Sequence, residues 1–163
     1  MSRINLSKKK ILFVFFVLVI LVFIFLDFFI TTPKEVVNNY AKGMKNFNST
    51  AIVNLYMDNM VVESYDSKDD MIEEFDLMFE DLKGKDFIIN SYKINKDYKK
   101  LSGDEFDYRI AQLEEYYKIK SEIDELRIYN IDFKCSSNGE TDKVEQVIII
   151  AKIRFNWYLI GIE

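Results

Sequence analysis

The chain of 163 residues predicts an α+β fold: a single N-terminal transmembrane helix, then a domain of helices laid on a curved antiparallel sheet. Three observations carry that reading. Residues 11–30 are apolar at nineteen of twenty positions, with Lys8-Lys9-Lys10 directly in front. Several stretches after residue 31 have helix-start signals and apolar stripes at helical spacing. The C-terminal part instead alternates with period two and contains an Asn-Gly turn. The expected layout is a cytoplasmic tail (1–10), a membrane helix (11–30) and an extracytoplasmic α+β domain (31–163).

Twenty helical residues rise about 30 Å, the thickness of a bilayer's hydrocarbon core. A cleaved signal peptide has an apolar core of about 7–15 residues and a small-residue cleavage site. Here the unbroken run Ile11–Leu26 is already longer, and Asp27-Phe28-Phe29-Ile30-Thr31-Thr32 has no such site. No cysteine follows the run, which excludes a lipoprotein signal. The segment is therefore expected to stay attached as a signal anchor. Arg3 and the three lysines face no acid in the first ten residues, which places the N-terminus in the cytoplasm and residues 31–163 outside. Asp27 lies close enough to the outer end to reach headgroup water, so it needs no role within the bilayer.

Of the 22 Lys and Arg, four precede residue 11, and of the 27 Asp and Glu, one is Asp27. Residues 31–163 thus carry 18 against 26, a net charge of −8. Nucleic acid is excluded as a partner, because neutralising its phosphates needs the opposite sign. The absence of histidine removes Ser-His and Cys-His catalysis and His-ligated metals. A single cysteine, Cys135, removes internal disulfides and cysteine-cluster metal sites. No metal and no cofactor is expected. An outside domain without disulfides, rich in Lys, Asn and Ile, suits a Gram-positive bacterium.

Thr32-Pro33-Lys34-Glu35 opens the first helix, with Thr32 as cap, Pro33 at the first helical position and Glu35 completing a capping box. Val36, Val37, Tyr40, Ala41, Met44 and Phe47 form its stripe. Asn48-Ser49 punctuates, and a short helix with Ala51, Ile52, Leu55 and Tyr56 inward follows. Val61-Val62 reads as a brief strand. Ser67 caps a third helix whose stripe includes Met71, Phe75, Phe79 and Leu82, with Gly84 expected to close it. Its opposite, acidic face lacks the ligand spacing of a calcium loop and reads as solvated.

A strand is expected within Asp86–Lys96. Ser102-Gly103-Asp104-Glu105 then opens a helix to Lys120, with Phe106, Arg109, Ile110, Leu113, Tyr116 and Tyr117 on one side. In the strand Leu126–Cys135, Tyr129, Ile131, Phe133 and Cys135 share a face opposite Asn130, Asp132 and Lys134. A packed, unreactive Cys135 follows. Asn138-Gly139 makes a hairpin turn. Val147–Ile150 is apolar on both faces, as in a central strand of Val144–Phe155. A tight turn near Asn156 leads into Trp157–Ile162.

The helical opening from Thr32 to Asn48, and the ending Lys152-Ile153-Arg154-Phe155-Asn156-Trp157-Tyr158-Leu159-Ile160, are similar to those of the nuclear-transport-factor-2-like, or cystatin-like, superfamily. The order of helices first and antiparallel meander last also resembles it. Two departures are the missing glycine at the last turn and the helix Ser102–Lys120 inserted between strands. The resemblance implies a cone of sheet wrapped on helices. Such cones serve steroid isomerases and scytalone dehydratases, and also inert binding or assembly domains. Tethered bacterial members resemble assembly subunits of conjugation and type IV secretion machines, or surface proteins of clostridia.

Two readings of function follow. In one, the domain is non-catalytic and acts through a protein partner or self-association, with Phe106, Ile110, Leu113 and Tyr117 as a partner strip. In the other, Tyr40, Tyr56 and Trp157 line a small-molecule pocket in which a carboxylate and a tyrosine act as base and oxyanion donor. No catalytic residue is assigned, since these aromatics serve equally as core.

Overall fold

The computed structural model describes residues 15–21, 31–58, 60, 65–117 and 123–163. Residues 15–21 are helical and expose their side chains, Val19 in part. The rest of the 11–30 run, and the expected strand at Val61-Val62, lie outside the described residues. Among the described residues no helix is long and apolar enough to cross a membrane.

Helices α1 (Pro33–Lys45), α2 (Ser49–Val53) and α3 (Lys68–Gly84) precede strands β1 (Ile88–Ile94) and β2 (Lys99–Lys100). Helix α4 (Asp104–Tyr117) then leads to β3 (Ile123–Ser137), β4 (Glu140–Ile153) and β5 (Asn156–Ile162). The sheet is antiparallel in the order β1-β3-β4-β5, with β2 extending the β1 side of β3. The α+β class is as the sequence predicts.

The starts of the helices follow from their caps. Thr32 Oγ1 accepts the Glu35 N–H at 3.3 Å, and the Glu35 carboxylate accepts the Thr32 N–H at 2.7 Å. These two bonds satisfy donors that a helix start otherwise leaves unpaired. Asn48 caps α2 and Ser67 caps α3 with a single bond each, from the Ala51 N–H at 2.9 Å and the Asp70 N–H at 3.1 Å. The end of α3 differs from expectation. Gly84 lies inside the helix, Lys85 is the cap, and the left-handed residue is Asp86 at φ 51°. A short acidic side chain tolerates that conformation, so glycine was not needed there.

Period two divides the sheet between two cores. Tyr129, Ile131, Phe133 and Cys135 of β3 join Ile148 and Ile150 of β4 and Trp157 and Leu159 of β5 on one face. Against them pack Val36, Val37, Tyr40 and Ala41 of α1, Ile52 of α2 and Phe79 of α3. Phe79 is held edge-on to Phe47, with ring centroids 5.1 Å apart. The other face presents Leu126, Ile149, Ala151, Ile153 and Ile160, covered by Met60, Leu101 and α4. Val147–Ile150 alternates between the two, which explains its unbroken apolar run. Asn138 and Gly139 both have positive φ (51° and 82°), as a two-residue hairpin turn of twisted strands requires.

β5 is an edge strand, and two segments close its outer side. Leu159 N–H donates to the Leu55 carbonyl at 2.9 Å. Around that point the chain crosses the edge, since Leu55 packs in the first core and Met57 and Met60 in the second. At the other end of β5, Thr31 Oγ1 accepts the Trp157 N–H at 2.8 Å and donates to the Trp157 carbonyl at 2.9 Å. Thr31 N–H adds a bond to Asn156 Oδ1 at 3.1 Å. An open edge invites pairing with another chain; this one is largely occupied.

Close approach of α1 to α2 depends on Gly43, which is buried. A Cβ there would lie 2.7 Å from Ile52 Cγ1, itself fully buried. Alanine is the better helix former by about 1 kcal/mol, but overpacking a filled core costs about 1–3 kcal/mol. Gly43→Ala is therefore expected to lower the thermal midpoint of the purified chain. A raised midpoint would show that the α1–α2 contact is loose.

Candidate functional site

The three aromatics singled out from sequence converge on the first core. Tyr40 is fully buried and its hydroxyl donates to Gln146 Oε1 at 2.7 Å. Trp157 is buried in the same cluster, and Tyr56, half-buried, packs against both cores. Burial raises the Tyr40 phenol far above its ordinary value, with Tyr56 adding to the rise and the Gln146 bond opposing it. Its proton is committed to one partner.

The most concentrated polar chemistry lies beside Trp157 and was not singled out from sequence. Arg127, on the apolar face of β3, places its guanidinium 4.5 Å from the Trp157 ring centroid and 4.3 Å from that of Tyr98. Tyr98 in turn stacks on Tyr129 at 5.3 Å. Glu125 Oε1 accepts from Arg127 Nε at 2.6 Å, and Glu125 Oε2 lies 3.2 Å from Lys100 Nζ. A planar cation between two ring faces, fixed by a carboxylate, is a geometry that arginine suits and lysine does not. Burial pushes the Glu125 carboxyl upward, but the bonds from Arg127 and Lys100 outweigh it and hold it below its ordinary value. Period two within the expected strand Leu126–Cys135 already puts Arg127 on the face of Tyr129, and extending it one residue ahead of Leu126 adds Glu125 to that face.

The strip on α4 lies against the sheet of its own chain. Leu113 is buried, and Phe106 and Ile110 are partly buried, all packed in the second core. Tyr117 ends α4, and its side chain is outside the described residues. Arg109, at the same helix surface, pairs with Glu163 at 2.7 Å. Cys135 is buried in the first core, where desolvation and then Asp142 push its thiol upward, away from the reactive thiolate.

No family model, curated protein or solved structure matches the chain. Its chemistry therefore has to be read from its own residues. Among the described residues, no group of three or more acidic, cysteine or histidine side chains is placed to hold a metal ion. Two surface depressions stand out, both open to solvent. One, of about 280 Å³, lies on α3 between Ile72 and Leu77 and is rimmed by Asp69, Glu73, Asp76 and Glu80. The other, of about 480 Å³, runs across the distal parts of β1, β3 and β4 past Tyr92 and Phe133.

Neither carboxylate nor phenol described above is poised for proton transfer near neutrality. Glu125 is ionised and paired, and Tyr40 holds its proton. The Glu125 pairing has a consequence for pH. A carboxyl whose folded value is lowered contributes stability above its unfolded value, lost as pH falls through the folded one. Acidification below the ordinary value of 4.5 should thus destabilise the chain. In Glu125→Gln, that part of the pH dependence should disappear from thermal melts recorded between pH 3 and 6, a window set by about ±1.5 units around that value. An unchanged slope would show that the Glu125–Arg127–Lys100 group is not formed in solution.

Proposed function

We propose that this chain is a membrane-anchored, extracytoplasmic binding or assembly module without catalytic activity, acting through a protein partner or a second copy of itself. The observation that carries the reading is the junction at Thr31. An apolar run long enough to span a bilayer ends at Ile30, and the next residue is hydrogen-bonded into the edge of the sheet. Helix α1 starts two residues later, so little chain separates the end of that run from the first helix. Such an attachment sets the orientation of the domain as well as its location. The exposed apolar residues of the helix at 15–21 support the anchor, since a helix apolar all round belongs in lipid or a core rather than in water. The excess of Lys and Arg before residue 11 supports the outside placement.

The packing favours binding over turnover. Helices cover both faces of the sheet, and the paired Glu125 and committed Tyr40 lack the free valences that an isomerase or dehydratase site needs. Nuclear-transport-factor-2-like membership remains part of the proposal, supported by α1–α3 lying on one sheet face ahead of the β3–β5 meander. In this reading α4, on the reverse face, is an addition that thickens the sheet rather than a plug in its mouth.

The α3 depression is the surface we assign to a partner. Leu77 is 60% exposed at its floor and its rim is acidic, which suits an apolar side chain carried on a basic surface. A photo-crosslinking amino acid at Leu77, in the full chain in intact membranes, should trap one discrete protein, whether another protein or a second copy. The same probe at Tyr108, 66% exposed on α4, should trap none. A chain that stays monomeric and uncrosslinked, while its extracts isomerise or dehydrate a small hydrophobic substrate, would replace this proposal with the enzyme reading.

A further inference from the structure

The β4–β5 turn is built against its own conformational preferences. Ile153 pairs with Asn156, so the loop is the two residues Arg154 and Phe155. Arg154 has φ 57°, a conformation that glycine or asparagine adopts at far less cost in such turns. Phe155 is 74% exposed, the most exposed large hydrophobic side chain among the described residues. Neither residue contributes to the described cores. A strained cation beside a bare aromatic ring calls for a reason outside the fold.

Position supplies one. Asn156 and Trp157, the next two residues, are those that hold Thr31. Thr31, the first residue after the apolar run, is therefore seated at the foot of the turn. If residues 11–30 enter a bilayer, the tip of the turn is at the headgroups. The charge distribution agrees. The strand ends that meet here, with Lys100, hold four cations (Lys100, Arg127, Lys152, Arg154) against two acids (Asp124, Glu125); Arg127 and Lys100 are paired with Glu125, Lys34 and Glu35 at the start of α1 offset each other, and Lys152 and Arg154 remain. The acidic helix α3 ends elsewhere. Ser137 Oγ donates to the Lys85 carbonyl at 2.8 Å, which puts the C-terminus of α3 beside the β3–β4 turn. That turn is at the opposite end of β4, about 40 Å away at the usual rise per residue. A domain of net charge −8 thus ends its acidic helix away from Thr31 and keeps Lys152 and Arg154 close to it.

We propose that Arg154 and Phe155 form a second membrane contact, in which the Phe155 ring inserts at the headgroup–acyl boundary and Arg154 pairs with the phosphates of anionic lipids. The proposal rests on the anchor reading of residues 11–30. It turns a single-point tether into a two-point seat that stops the domain from rotating about its helix.

The test uses the full chain in vesicles of phosphatidylcholine and phosphatidylglycerol, with Cys135→Ala removing the native thiol. Nitroxide labels are placed singly through Ile20→Cys, Phe155→Cys and Val144→Cys, and their depth is read from relaxation by oxygen against a water-soluble nickel chelate. Expected is a deep label at 20, an interfacial label at 155, and a water-exposed label at 144, far along β4. Adding Arg154→Gly should leave the thermal midpoint equal or higher, since glycine suits the turn, yet cut the seated population at 155 about fivefold. A deep label at 20 with a water-exposed label at 155 overturns the seat and leaves the anchor standing. Water exposure at both 20 and 155 removes the anchor and the seat together. Unchanged seating in Arg154→Gly overturns the role given to lipid phosphate.

Discussion

The hydrogen bonds between Thr31 and β5 are the constraint on which the rest of this molecule depends. Trp157 turns its N–H and carbonyl outward from the last strand, and one hydroxyl satisfies both. Each such bond contributes only about 1 kcal/mol net, but leaving both backbone groups bare at a part-buried edge costs more. Their consequence is geometric. They fix the start of α1 against the sheet and close half of an edge. They also make the end of the apolar run and the turn at Arg154-Phe155 neighbours. The Leu55 carbonyl does the same service at Leu159. A tethered domain with an open β edge would be held at high local concentration beside other copies, where edge pairing is most hazardous.

Polar chemistry is gathered at the same end. Arg127 is sandwiched between Tyr98 and Trp157 and fastened to Glu125, so the end of the first core nearest Thr31 is sealed by a satisfied ion pair rather than left as a mouth. A sheet with this arrangement has a closed, rigid end there in place of an open pocket. Under the binding-module proposal, the surfaces far from Thr31, acidic α3 and the long β3–β4 hairpin, are the parts offered to a partner.

Much of this architecture was legible in the sequence because it rests on local signals. The capping box at Thr32 and Glu35, the Asn138-Gly139 turn and the alternation through Tyr129–Cys135 each have a cause within a few residues. The double-faced run Val147–Ile150 announced a central strand for the same reason. What could not be read is what depends on distant pairs. Thr31 and Trp157 are 126 residues apart, and nothing near Thr31 signals an edge to be closed. The side on which α4 packs is equally silent, since an apolar stripe specifies a partner face without naming it. Arg127 is a smaller case: it stands inside the strand expected over Leu126–Cys135, on the face of Tyr129, but nothing within that strand signals the Tyr98 and Trp157 rings that hold it. At Gly84 the composition rule for helix ends was overridden by Asp86.

The most direct test of the account is amide hydrogen exchange in the full chain held in lipid nanodiscs, read at the N–H groups of Thr31 and Trp157. A junction locked to the sheet predicts slow exchange at Trp157, about as protected as its strand neighbours, and measurable protection at Thr31. Thr31→Val should abolish both while leaving the Leu159 amide slow. Free exchange at Trp157 and Thr31 in the unaltered chain would mean that the domain hangs on a loose joint, and the fixed orientation claimed for it would be contradicted.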